Sequence, residues 1–140
     1  MKIMITVFLA AFIAFSIGCA TPGDVRMALP QVTVSIGEKI MVRPEKIAML
    51  RNHHGVERLH DFVSEKLAEG KIRDSLNFDI TISEFRVGWG RDFMSANVVV
   101  SEAGKELKRF KSVETTGRRH PVERMAKGLA KRIYLEIKDI

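Results

Sequence analysis

The chain has almost no cysteine. A single thiol, Cys19, occurs in 140 residues, so no internal disulfide can form and the fold must rest on an apolar core. An apolar stretch long enough to span a bilayer is missing too. The longest, Ile3 to Ile17, is interrupted only by Thr6 and Ser16 and falls short of the roughly 20 residues a spanning helix needs. There is no internal repeat and no low-complexity tract.

Motifs of catalysis and metal binding are also lacking. His53, His54 and His60 form the only histidine cluster, and no cysteine or carboxylate stands at a spacing that would close a metal site around them. They read as surface or turn residues. Gly88-Trp89-Gly90 opens like a phosphate-binding loop, but Phe93 stands where a third glycine would be and no helix follows. Ser112, Glu114 and His120 are near one another in sequence, yet nothing like a nucleophile elbow presents them. Paired carboxylates for glycoside cleavage cannot be nominated without geometry. No catalytic residue, metal ligand or cofactor is assigned, and a cryptic hydrolase is the weakest of three functional readings.

What is present speaks most clearly at the N-terminus. Met1-Lys2 supplies a short positive start, the apolar stretch follows, and Ser16-Ile17-Gly18-Cys19 is a junction of mostly small residues ending in the sole thiol. Small side chains let a chain lie extended in a peptidase cleft, and a thiol is a nucleophile that can accept diacylglycerol. The junction resembles the lipobox of bacterial lipoproteins, with one departure: Ser16 stands where leucine is commonest. The resemblance implies that residues 1–18 are a signal peptide and that Cys19 becomes a lipid-bearing first residue carrying diacylglycerol and palmitate. Residues 19–30, with Pro22, Gly23 and Pro30, then read as a tether. A plain signal peptide with an incidental cysteine, or an uncleaved anchor helix, are the alternatives. Ala20, rather than aspartate, follows Cys19, which resembles the address of an outer-membrane lipoprotein facing the periplasm. Several chains on one residue hold far more firmly than one, so the membrane is an expected partner through Cys19.

The precursor carries 23 basic and 17 acidic residues, a net charge of +6. Only Lys2 falls within the first 18 residues, so a chain starting at Cys19 has 22 basic residues against the same 17 acidic ones, or +5. A basic surface suits phosphate groups of any origin, and export removes nucleic acid from the expected partners. With 46% hydrophobic and 29% charged residues, the composition is that of an ordinary globular domain.

Residues 31–140 read as that domain. Val32, Val34 and Ile36 alternate with Gln31, Thr33 and Ser35, the period of a half-buried strand. Gly37-Glu38 reads as a turn, and Lys39 to Arg43 as a second strand ended by Pro44. A short helix over Glu45 to Arg51 is broken at Asn52-His53-His54-Gly55. Val56, Leu59, Val63 and Leu67 then predict an amphipathic helix stopped by Gly70. Leu76, Phe78, Ile80 and Ile82 alternate cleanly, and the change of parity at Phe85 and Val87 predicts a bulge. Gly88 to Asp92 reads as a hairpin loop and Met94, Ala96, Val98 and Val100 as the returning strand. Ala103-Gly104-Lys105 is a further turn, and Glu106 to Thr115 a third strand. Pro121 opens a last helix with Val122, Met125, Ala126, Leu129, Ile133 and Ile137 in one stripe. The expected class is α+β, a mostly antiparallel sheet of about five strands with two helices packed on one face.

This order of elements, with the segment Phe78-Asp79-Ile80-Thr81-Ile82 opening the meander, resembles groups of small outer-membrane lipoproteins. Their domain is similar to the N-terminal domain of TolB and to part of the curli-secretion lipoprotein. The resemblance implies a fold and an envelope role, and carries over no active-site residue. The leading expectation is a non-enzymatic assembly or accessory subunit with an envelope protein partner. The second is a binding module for an anionic envelope component, namely lipopolysaccharide, anionic lipid or peptidoglycan. Trp89 is the sole tryptophan and sits between two glycines; it either folds back on its own sheet or anchors a partner or membrane interface. Arg118-Arg119-His120 with Arg124, Lys127, Lys131 and Arg132 form the densest basic region, Lys127, Lys131 and Arg132 lying away from the apolar stripe of the last helix, and read as solvated cover or as an anion contact.

Overall fold

The computed structural model describes residues 30–88, 91–117 and 119–140. They form β1 (Gln31–Ile36), α1 (Glu38–Met41), α2 (Pro44–Asn52), α3 (Gly55–Glu69), β2 (Leu76–Arg86), β3 (Asp92–Glu102), β4 (Lys105–Thr116) and α4 (Pro121–Ile137). The four strands make one sheet in the order β1-β2-β3-β4. The β2–β3 and β3–β4 pairs are antiparallel, whereas β1 lies parallel to β2. A parallel pair needs a crossover of a dozen or more residues, and α1, α2 and α3 supply it. The class is α+β, as expected.

Alternation decides which sheet face is covered. Leu76, Phe78, Ile80 and Ile82 of β2 and Met94, Ala96, Val98 and Val100 of β3 are buried on one face, where Leu59, Val63 and Leu67 of α3 and the stripe Val122 to Ile137 of α4 meet them. The parity shift expected near Phe85 is present: the β2–β3 register slips between Ile82 and Glu84. The bulge returns Phe85 to the core and leaves Ser83 and Glu84 half-buried at the sheet end. On the opposite face, cross-strand rows run polar, for example Ser35–Thr81–Asn97–Lys111.

The expected second strand is a correction. Residues 39 to 43 do not pair; Glu38–Met41 is a helical turn and the sheet has four strands. The backbone N–H of Gly37 donates to the Ile82 carbonyl at 2.8 Å, tying the chain to the end of β2. A Cβ on Gly37 would stand 3.0 Å from that carbonyl oxygen, so glycine permits the approach. The chain then coils across the sheet end, burying Ile40 at 1% exposure while Val42 is 74% exposed and Met41 54%. A half-buried strand would have put Ile40 and Val42 on the same side. The short helix after Pro44 is present and runs to Asn52.

Candidate functional site

Of the residues singled out from sequence, Cys19 and Trp89 lie outside the described residues. Arg124, Lys127 and Lys131 are exposed on α4, and their spacing of three and four residues puts them on one helix face. They do not converge on one cavity. The Arg124 guanidinium donates to the Arg119 carbonyl at 2.9 Å, whereas Lys131 borders a hollow of about 350 Å³ with Lys66, Glu69, Gly70, Tyr134 and Leu135. His53 and His54 occupy the α2–α3 corner, and the His60 ring lies 3.0 Å from the Asp61 carboxylate on α3. Ser112 is buried, and Glu114 receives Arg132 at 2.6 Å beneath α4.

The structure gathers a different set of basic side chains. Lys39 from α1, Arg43 from the α1–α2 junction and Lys46 from α2 border a hollow of about 430 Å³ whose far wall is Glu84, Arg86 and Phe93 at the hairpin end of β2 and β3. The Arg86 guanidinium sits 5.9 Å over the Phe93 ring, an attractive placement of charge on a π-face. A second hollow of about 310 Å³ shares Lys39, Ser83 and Glu84 with the first and continues over Thr81, Asn97 and Lys111 on the polar sheet face.

Cations outnumber carboxylates at this corner, where Glu38, Glu45 and Glu84 stand among Lys39, Arg43, Lys46, Arg86 and Lys111. The one carboxylate of the larger hollow, Glu84, is held by the Lys111 ammonium at 2.9 Å. That hydrogen bond, then the fields of Lys111, Lys39 and Lys46, hold its pKa below the usual carboxylate value of 4.5. Among the described residues no carboxylate lies within ion-pairing distance of Lys39 or Lys46, and Arg43 meets only Glu45, at 3.8 Å between largely exposed side chains. Such a pair contributes little. The arrangement offers several cations to an incoming anion, with Met41 and Val42 standing exposed beside them.

Sequence reasoning missed this corner because residues 39–43 were read as a strand. Lys39, Arg43 and Lys46 are brought together by the break between two short helices, with Arg43 extended at φ −119° and ψ 92°, and not by one continuous helix face. The juxtaposition with Arg86 and Phe93, some forty residues away, needs the fold.

Fold and site together define a two-layer α+β domain with a cationic hollow at one end of its sheet. No protein-family model matches the sequence, and no curated protein is similar to it at a significant level. Solved structures do resemble it. A dodecameric PelC variant from Paraburkholderia phytofirmans superposes with a TM-score of 0.51 at 11% identity, over 76% of this chain and 87% of that one. A candidate lipoprotein from Caulobacter crescentus CB15 gives 0.49 at 18% identity, over 61% and 81%. A minor lipoprotein from Acinetobacter baumannii gives 0.42 at 8% identity, over 79% and 94%. The PelC likeness establishes a shared fold and transfers no ligand or residue role.

Proposed function

We propose that the chain is a lipid-anchored, non-enzymatic envelope lipoprotein, acting as an assembly or accessory subunit on the periplasmic side of the outer membrane. The observation that carries this reading is the Ser16-Ile17-Gly18-Cys19 junction with the only thiol at its end, followed within a dozen residues by a folded domain beginning at Gln31. No helix among the described residues is long and apolar enough to cross a membrane, which is compatible with attachment through Cys19. Ala20 and Thr21 support the outer-membrane address. PelC is dodecameric in its crystals, and this supports assembly as the form the role takes. The likeness to TolB and to the curli-secretion lipoprotein rests on element order.

Replacing Cys19 by serine tests the anchor. The Cys19→Ser chain is expected either in the soluble periplasmic fraction or stalled at precursor size. Recovery of membrane-bound protein of mature size from that variant overturns the reading.

A second reading, a binding module for an anionic envelope component, is favoured by the exposed cations at the α1–α2 corner and along α4. Reversing Lys127 and Lys131 to glutamate is expected to weaken association with acidic vesicles in a salt-sensitive way if α4 is the contact. Vesicle binding that ignores both salt and this reversal removes α4 from the contact.

A further inference from the structure

We infer that the α1–α2 corner, rather than α4, is a second and reversible membrane contact that docks onto the surface of an anionic phospholipid bilayer. This deepens the anionic-component reading and rests on it. Val42, 74% exposed, and Met41, 54% exposed, are neighbours on one short turn. They are flanked by Lys39 and Arg43, with Lys46 one helical turn beyond. Apolar side chains that stay in water beside a cluster of ammonium and guanidinium groups match the boundary between acyl chains and lipid phosphates. Val42 and the three cations also border the hollow of about 430 Å³, whose size falls in the roughly 300–1,000 Å³ range of small-ligand sites. A phosphate headgroup entering it meets Lys39, Arg43 and Lys46 on one wall, facing Glu84, which Lys111 already holds, on the other.

On α4 the pairing is sparser: a single exposed apolar side chain, Leu135, stands one turn beyond Lys131, and none adjoins Arg124 or Lys127 on that face. Reach is no obstacle for the corner. The stretch from Cys19 to Gln31 spans at most about 40 Å at 3.3–3.6 Å per residue, roughly twice the length of a six-residue strand such as β1. A domain already tethered meets the surface at high effective concentration, so even a weak contact is populated.

The test uses the acylated protein reconstituted into vesicles of phosphatidylcholine alone or with phosphatidylglycerol added. In a Val42→Cys variant the introduced thiol is the only free one, because Cys19 is acylated, and it is labelled with a polarity-sensitive fluorophore. Emission is expected to shift to the blue and rise on phosphatidylglycerol vesicles only. It should revert at about 1 M salt, where the Debye length falls to about 3 Å, and be lost when Lys39, Arg43 and Lys46 are all changed to glutamate. Lys127→Glu with Lys131→Glu should leave the shift in place. An equal shift on phosphatidylcholine overturns the charge requirement. Loss on reversing α4 but not the corner overturns the site while keeping the anionic reading. No shift in any vesicle overturns the contact. Failure to sediment with vesicles at all points instead to the anchor at Cys19. Unchanged thermal unfolding of the triple variant excludes misfolding as the cause.

Discussion

At Gly70 and Lys71 the chain divides between two residues the work one glycine often does at a helix end. The left-handed conformation falls on Lys71, at φ 52°, while Gly70 keeps φ −80°. Glycine is needed at 70 for space: a Cβ there would stand 2.3 Å from Cε2 of the Tyr134 ring. The same division occurs at the start of α3, where His54 is left-handed at φ 52° and Gly55 is packed under Leu50 and Val122. A side chain in the left-handed region costs roughly 1–2 kcal/mol, part of which glycine returns as chain entropy. Lys71→Gly should therefore be neutral or stabilise by up to about 1 kcal/mol, whereas Gly70→Ala should destabilise by about 1–2 kcal/mol as Tyr134 is pushed off α3. Chemical denaturation of the two variants checks the opposite signs.

Helix α4 shows how unevenly one element distributes stability. Leu129 and Ile133 are fully buried against the sheet, while Leu135, two residues on, is 49% exposed. Leu129→Ala or Ile133→Ala is expected to cost about 2–5 kcal/mol, and Leu135→Ala within about 0.5 kcal/mol of nothing. Equal losses by thermal unfolding would mean that α4 is not seated as described. This stripe was legible in the sequence, as were the β2 alternation, its bulge and the Gly104 turn at φ 79°, because each is a local periodicity. The segment 39–43 was not, since four or five residues satisfy a period of two and a period of 3.6 about equally well. The parallel pairing of Val32 with Phe78 was also hidden. Nothing in either strand encodes a partner 46 positions away. For the same reason the cationic corner could not be read, being assembled from segments the fold brings together.

Across the whole domain, two carboxylates tie distant parts together and make its acid limb predictable. Glu102 accepts the Arg73 guanidinium at 2.8 Å and the Ser75 hydroxyl, and Arg73 also reaches the backbone oxygen of Ile140 at 3.2 Å. Hydrogen bonds from Arg73 and then Ser75 hold Glu102 below the usual carboxylate value of 4.5, as Lys111 does for Glu84. A carboxylate lowered on folding adds stability that is complete above its unfolded value and is lost as pH falls through its folded one. Melting temperature should thus hold near neutrality and drop below about pH 4.5, with Glu84→Gln and Glu102→Gln each flattening that drop. Both groups remain in partial contact with solvent, so added salt should flatten it in part. A variant that keeps the full acid dependence would remove its carboxylate from this account.

The position of β1 has a mechanical consequence. It is the strand into which any pull from the N-terminal side enters, at Gln31, and it is an edge strand with one hydrogen-bonded neighbour over only six residues. The meander β2–β3–β4 and α4, joined by short local turns, lie beyond it in the chain. If the proposed anchor holds, a load arriving through it should peel β1 away while the remaining sheet and α4 stay folded, so that β1 acts as a fuse. Pulling from the C-terminus instead would act on α4, which is packed against β3 and β4 with its stripe fully buried. Single-molecule extension from residue 30 is therefore expected to show a small early step that is absent when the same domain is loaded from residue 140.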